Sequence, residues 1–279
     1  MDELKEYKGN DVIGFEWILA FLVLGAVVGF MAGLLGIGGG GIMVPVLTSI
    51  FLAQGVPVEQ VVHMALGTSM ASIIMTSFAS MRAHHKRGAV QWDVVKMMAS
   101  GVIIGTFGAT FLASSMKSSQ LAIFFAVFMA YVSIQMAIDK KPKPSRELVS
   151  NKALFGGGTF IGIISALVSI GGGSLTVPFL VWQNVDLKKA IATSAAIGFP
   201  LSIAGTVGYM VNGMIHSGSG ADMMLGFVYL PGVVLISIVS YFTAPFGAKM
   251  AHTLPVGKLK KIFALLLMSL SIKMLTSVL

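Results

Sequence analysis

LLGIGGGGIMVPVL at residues 34–47 and LVSIGGGSLTVPFL at residues 167–180 align without a gap, at an offset of 133. Adjacent glycines make poor helix, each costing about 1 kcal/mol against alanine in a helix interior. Both runs nevertheless lie inside long apolar surroundings. In hydrocarbon an unpaired backbone group costs several kcal/mol, so a break there must face protein or a water-filled cavity. A short apolar stretch follows each run, opening near Ile42 or Leu175, with Pro45 or Pro178 expected in its first turn, where a missing N–H is harmless. The pattern predicts two free helix N-termini at depth, with the amides of Gly38, Gly39, Gly40 and Gly41, and of Gly171, Gly172, Gly173 and Ser174, exposed to the interior. Aligned dipoles and bare N–H groups make such ends anion sites. Close helix packing is the competing reading, but packing asks for spaced small residues rather than contiguous ones.

Spaced small residues occur as well. Gly25, Gly29 and Gly33 stand at the same 133-residue offset from Gly158, Gly162 and Ala166, and Gly101 and Gly105 repeat the fourfold spacing; these read as packing faces. Thr68-Ser69 matches Thr193-Ser194, and Phe107-Gly108-Ala109 matches Phe246-Gly247-Ala248. The chain divides into apolar segments at about 15–35, 41–53, 61–82, 92–114 and 119–138, then again at about 153–170, 174–183, 188–212, 225–248 and 258–278. Residues 1–138 are thus a first transmembrane repeat, 139–152 (DKKPKPSRELVSNK) a basic linker, and 153–279 a second copy. The short second and seventh segments either cross with a break or form re-entrant hairpins with their predecessors.

Composition agrees with a chain that lives in lipid. Of 279 residues, 56% are hydrophobic and 11% charged, with a mean hydropathy of +0.88. Soluble domains carry roughly 25% charged residues, so neither a water-facing globule nor a disordered chain is compatible. Ten segments of about 20 residues, each able to cross about 30 Å of hydrocarbon, fill about 200 residues. The absence of cysteine excludes disulfides, thiol catalysis and thiolate-held metals. Residues 1–16 are acidic rather than basic, which argues for a retained first helix and not a cleaved signal peptide. The expected fold is an all-α polytopic membrane protein of two repeats with Gly-rich breaks at the repeat interface.

Five crossings is an odd number, so the copies are expected to face opposite ways. Placing both termini outside puts fifteen of the nineteen Lys and Arg on the inner side, including Arg82, Lys86, Arg87, Lys96, Lys140, Lys141, Lys143, Arg146, Lys152, Lys188, Lys189, Lys249, Lys258, Lys260 and Lys261. The net charge of +8 therefore reads as topology, not as a nucleic-acid stripe.

Few residues could carry chemistry. The hydroxyls of Thr68, Ser69, Thr193 and Ser194 can donate to an anion, or simply to a carbonyl of their own turn. Lys96 and Lys273 are placed to reach the surfaces. His63 lies near an outer end, and His84 and His85 read as solvated loop residues. Asp93, Asp139, Glu147 and Asp186 read as solvated charges, and Trp92, Trp182, Tyr209 and Tyr229 as interface markers. No acidic residue lies deep within a segment, no metal-ligand cluster or nucleophile triad appears, and no nucleotide-binding motif is present. No cofactor and no enzymatic activity are expected.

The paired G-I-G-G-G-(G/S)-x-x-V-P segments, each followed by a T-S pair on the next helix, resemble the sulfite exporter TauE/SafE family over about residues 15–278. The second copy departs from the first, with Ser169 where Gly36 stands and Ser174 where Gly41 stands, so the half-sites are unequal. The resemblance implies a multi-pass protein of the prokaryotic plasma membrane that moves sulfur oxyanions or organosulfonates such as sulfite and sulfoacetate. The expected partners are a small anion and the lipid bilayer, with a homo-oligomer left open and no nucleic acid. An anion channel, a carrier of another small anion such as a carboxylate, a membrane enzyme and an assembly factor are the alternatives.

Overall fold

The computed structural model describes residues 14–35, 38–138, 150–217, 223–250 and 256–279. Most of the basic linker, Gly36 and the acidic N-terminal residues lie outside them, as do Lys140, Lys141, Lys143 and Arg146. Ten helices follow in order: α1 (Phe15–Leu35), α2 (Gly40–Ala53), α3 (Val58–His85), α4 (Trp92–Ser115), α5 (Ser118–Ile138), α6 (Asn151–Val168), α7 (Gly173–Trp182), α8 (Leu187–Ser217), α9 (Leu230–Met250) and α10 (Val256–Val278). Among the described residues, eight of the ten are long and apolar enough to cross a membrane, and α2 and α7 are the short ones. The outer faces carry exposed Val23, Val27, Ile104, Phe111, Val127 and Phe242, which is the composition lipid requires. The ten predicted segments all become helices, with one addition. Before α9 the chain makes a short antiparallel hairpin, β1 (Met224–Leu225) and β2 (Val228–Tyr229), turning through Gly226 at φ 59°.

The spaced glycines set the packing. Gly25, Gly29 and Gly33 of α1 meet Ile236, Ser240 and Ala244 of α9 in rising order, so the two helices run parallel with backbones in contact. Gly101 and Gly105 of α4 meet Phe155 and Thr159 of α6, while Gly158 and Gly162 meet Met98 and Val102, again in parallel. Between these pairs lie α3 and α8, which run antiparallel: Gly198 faces Ser77, Gly205 faces Met70, and Tyr209 faces Gly67. Thr76 donates to Ser240 at 2.9 Å and fixes α3 beside α9. Gly205 and Gly208 of α8 lie against Thr106 and Thr110 of α4. Helices α5 and α10 pack against each other, joined by the Ser133 hydroxyl on the Ala264 carbonyl at 2.7 Å. A Cβ at Gly105 would run into the Thr159 carbonyl oxygen and stand 2.9–3.0 Å from the Thr159 carbonyl carbon and Cα, where no side chain can yield. Gly105→Val is therefore expected to push α4 off α6 and lower stability by about 3 kcal/mol or more, read as a fall in the thermal midpoint of the purified protein.

The two short helices are not equally covered. Helix α2 is buried along most of its length among α3, α10, α1 and α6. Helix α7 packs against α8, and only Gly173, Thr176 and Leu180 are buried in it.

Three sequence expectations need correction. Pro45 and Pro178 lie in the second helical turn rather than the first, because Gly39 (φ 81°) and Gly172 (φ 79°) adopt the left-handed conformation and open α2 and α7 earlier than expected. Tyr209 is not an interface marker: it is fully buried, and its hydroxyl donates to the Ala166 carbonyl at 2.9 Å near the end of α6. His84 is not a loop residue, since α3 runs on through His85 and turns His84 inward, while exposed His85 accepts from the Trp92 indole N–H at 3.1 Å.

Candidate functional site

After Leu35 the chain folds back, so that Gly39 lies against Val28, two turns earlier in α1. The second half makes the same move: a Cβ on Gly172 would stand 4.0 Å from the Ile161 side chain, two turns before the end of α6. Helix α2 leads back to the end of the bundle where α3 starts, and α7 leads to the opposite end, where α8 starts. The tips of these two folds meet. A Cβ placed on Gly38 would stand 2.6 Å from the Gly171 Cα, and one on Gly171 would stand 2.8 Å from the Gly38 Cα. Both tips lie beside the Ile73 side chain near the middle of α3, which a Cβ on Gly38 or Gly171 would meet at 3.6 or 3.5 Å. The backbones approach this closely because neither residue has a side chain to separate them.

Around the contact lies a small cavity lined by Ala32, Gly38, Thr76, Ser77, Ser80, Gly171 and Ala195. It encloses about 10 Å³, room for about one water. The hydroxyls on its wall come from α3. Thr76 donates to the Ser72 carbonyl and to Ser240. Ser80 is buried, and its Oγ has no hydrogen-bond partner among the described residues. A buried hydroxyl left unpaired costs about 1–3 kcal/mol; of the several such hydroxyls among the described residues, Ser80 is the one that lines this cavity.

The helix starts add polarity nearby. In α2 the ladder begins with Ile42 and Met43 donating to the Gly39 carbonyl, and in α7 with Leu175 and Thr176 donating to the Gly172 carbonyl. The N–H groups of Gly40, Gly41, Gly173 and Ser174 precede those first bonds, as first-turn amides do in any helix. The Gly172 N–H itself donates to the Ile170 carbonyl at 2.6 Å. Gly40 lies on the Ser169 carbonyl, and a Cβ at Gly41 would meet Met129 and Leu267. Gly173 is buried and Ser174 half-buried.

The Thr-Ser pairs lie outside the cavity wall. Tyr229 N–H donates to Thr68 Oγ1 at 3.0 Å, and Gln91 N–H donates to Thr193 Oγ1 at 3.1 Å. Each threonine thus holds the residue that leads into the next packed helix, α9 in one case and α4 in the other. Ser194 donates to the Ile191 carbonyl at 2.8 Å, and Ser69 Oγ is buried without a partner among the described residues. His63 Nε2 lies 3.1 Å from the carbonyls of both Ala113 and Met116, and its ring stacks near Phe227; it joins the end of α4 to the hairpin and stands apart from the cavity. Sequence reasoning stopped at the Thr-Ser pair and missed Thr76, Ser77 and Ser80. The signal was present: Thr68, Ser72, Thr76 and Ser80 recur every fourth residue, which is one face of a helix.

The family profile described as sulfite exporter TauE/SafE matches residues 21–274. A relative from Haemophilus influenzae named "Probable membrane transporter protein" is 36% identical over 265 residues, covering 93% of this chain and 98% of its own. Relatives from Methanocaldococcus jannaschii and Bacillus subtilis with the same description are 27% and 26% identical, covering 84% and 70% of this chain and 88% and 79% of theirs. No solved structure matches. The long apolar helices make this a multi-pass membrane protein, and the family and the relatives' names mark a transporter rather than an enzyme. With its duplicated glycine-proline motif intact and nearly its whole length matched, the chain belongs to the sulfite exporter TauE/SafE family.

Proposed function

We propose that the chain is a secondary transporter of small anions, of the sulfur oxyanion or organosulfonate class, working by alternating access in the prokaryotic cell membrane. The contact of Gly38 with Gly171 between two oppositely entering folds is the observation that carries this reading. Two inverted repeats, 1–138 and 153–279 about the 139–152 linker, account for the exchanged pairings: α1 with α9 as α6 with α4, and α3 with α9 as α8 with α4. Both termini lie outside in this arrangement, by the distribution of Lys and Arg.

In mechanism, the amides at residues 38–41, 171, 173 and 174 and the hydroxyls of Thr76, Ser77 and Ser80 replace the water shell of the anion, while the Gly172 N–H stays on the Ile170 carbonyl, and the helix dipoles supply partial positive charge. Thr68, Ser69, Thr193 and Ser194 frame the site, with the two threonines holding α9 and α4 in register. No buried Lys or Arg is required. A cavity of about 10 Å³ is too small for a four-atom oxyanion, so the tips must part to bind it and meet again to close. A contact that closes to one water favours a carrier over an open pore. The membrane potential, worth about 2.3 kcal/mol per charge per 100 mV, drives anion exit from a negative interior.

Ser80→Ala separates a binding role from a structural one. Removing an unpaired hydroxyl leaves stability unchanged or slightly raised, whereas losing a hydrogen bond to an anion slows transport by about tenfold or more. The measurement is uptake of labelled sulfite, sulfoacetate, acetate and chloride into proteoliposomes beside a melting curve. Wild-type uptake of every anion by the variant, or failure of the wild-type protein to carry any of them, overturns the assignment.

A further inference from the structure

A second feature lies at the end of the bundle where α3 and α9 finish. The two helices run parallel, so their C-terminal ends lie side by side, and the last turns of α9, the last turn of α3 and the two residues after α3 share one pocket. Its lining is Ala83, Lys86, Arg87, Pro245, Phe246 and Lys249, and its volume is about 390 Å³. Three of the six residues are cations and none is acidic. Arg87 is fixed in place, with Nη1 donating to the Ala248 carbonyl at 2.8 Å near the end of α9. Like charges held together without a counter-charge repel, so the arrangement favours a bound anion.

The remaining wall is apolar and continues along the outside of the protein. Val234, Ile238, Phe242 and Phe246 recur every fourth residue of α9, and all four are exposed. They form a strip that starts at the cationic pocket and runs toward the opposite end of the helix. A head carrying negative charge with a hydrocarbon chain behind it matches both parts at once. A free inorganic anion would use the cations but make no use of the apolar strip that adjoins them.

We infer that the pocket of Lys86, Arg87 and Lys249 holds the phosphate of an anionic phospholipid, with one acyl chain laid along the exposed strip of α9. Basic pockets between helices at the membrane edge attract such head groups, each cation adding about fivefold to the affinity. The site is separate from the glycine contact and stands whether or not the proposed transport reading does.

The test is lipid retention measured by native mass spectrometry of the purified full-length chain. Protein is exchanged into detergent with phosphatidylglycerol, or phosphatidylcholine of the same acyl chains, or inorganic phosphate alone. Wild-type protein is expected to keep about one phosphatidylglycerol and little phosphatidylcholine. Lys86→Ala/Lys249→Ala lowers that occupancy by about tenfold or more, and Lys86→Arg/Lys249→Arg restores it. Lys188→Ala/Lys189→Ala, which removes the same charge elsewhere, leaves it unchanged. If the alanine variant elutes as aggregate, Lys86→Gln/Lys249→Gln takes its place with the same expected loss. Equal loss in the Lys188 and Lys189 control, equal retention of phosphatidylcholine, or inorganic phosphate displacing the lipid at equal concentration would each overturn the assignment.

Discussion

Gly171→Ala is expected to abolish sulfite transport while the protein still inserts and purifies as a single species. Gly171 is not among the residues with left-handed backbone, so alanine is allowed there by its own conformation. The obstacle is its neighbour: the new methyl would stand 2.8 Å from the Gly38 Cα, closer than carbon atoms pack. The two tips must then stand apart, and the closed state in which they touch is lost. Displacements on the order of 1 Å at a reacting or binding centre cost about a hundredfold in rate, so uptake by proteoliposomes should fall by about that factor. Gly108→Ala is the matched control, because a Cβ at Gly108 meets nothing within 4 Å. Wild-type uptake by Gly171→Ala would mean that the tips need not meet.

The opposite intervention, preventing the parts from separating, should be as severe. The chain contains no cysteine, so a designed pair has no competitor. Ser77 Oγ lies 3.1 Å from the position of a Cβ at Gly198, beside the cavity and between α3 and α8. That is within reach of a disulfide, whose Cβ atoms stand about 3.8 Å apart. A Cβ at Gly198 would also stand 2.8 Å from the Gly171 carbonyl oxygen, so Gly198→Cys alone is expected to lower transport. The cross-link is read as loss of the residual uptake when Ser77→Cys/Gly198→Cys is oxidised and its return on reduction with dithiothreitol, while neither single variant responds to either reagent. Mass spectrometry confirms the bond. Normal uptake by the cross-linked protein would refute any cycle in which α3 and α8 move relative to each other beside the glycines.

Much of the architecture was readable because lipid imposes a simple rule on composition, and helix ends followed from where apolar runs stop. What escaped was decided by contacts between distant residues. Tyr209 looks like an interfacial residue until the carbonyl of Ala166 is found within its reach. His84 looks solvated because basic residues surround it in sequence, yet α3 runs about one turn further than expected, to His85, and carries it inward. The hairpin at Met224–Tyr229 hides in an apolar run, and its pairing is set by Gly226 and by Thr68 on another helix. The glycine runs drew attention because contiguous glycines make poor helix, and the contact of Gly38 with Gly171 lies within them. The hydroxyls of Thr76 and Ser80 are legible only as the continuation of the fourfold row from Thr68 and Ser72, and Ser77, off that row, carries no such signal. Their counterparts on α8, at the offset of 125 that joins Thr68 to Thr193, are Leu201, Ser202 and Gly205.

The uneven clothing of the two short helices has a mechanical outcome. Local opening is easiest where an element has few neighbours to leave, and α7 has little beside α8 while α2 is wedged among four helices. Thermal agitation therefore loosens α7 before α2. Under the alternating access proposed above, such a carrier acquires a preferred resting posture, and its forward and reverse strokes need not run at equal speed.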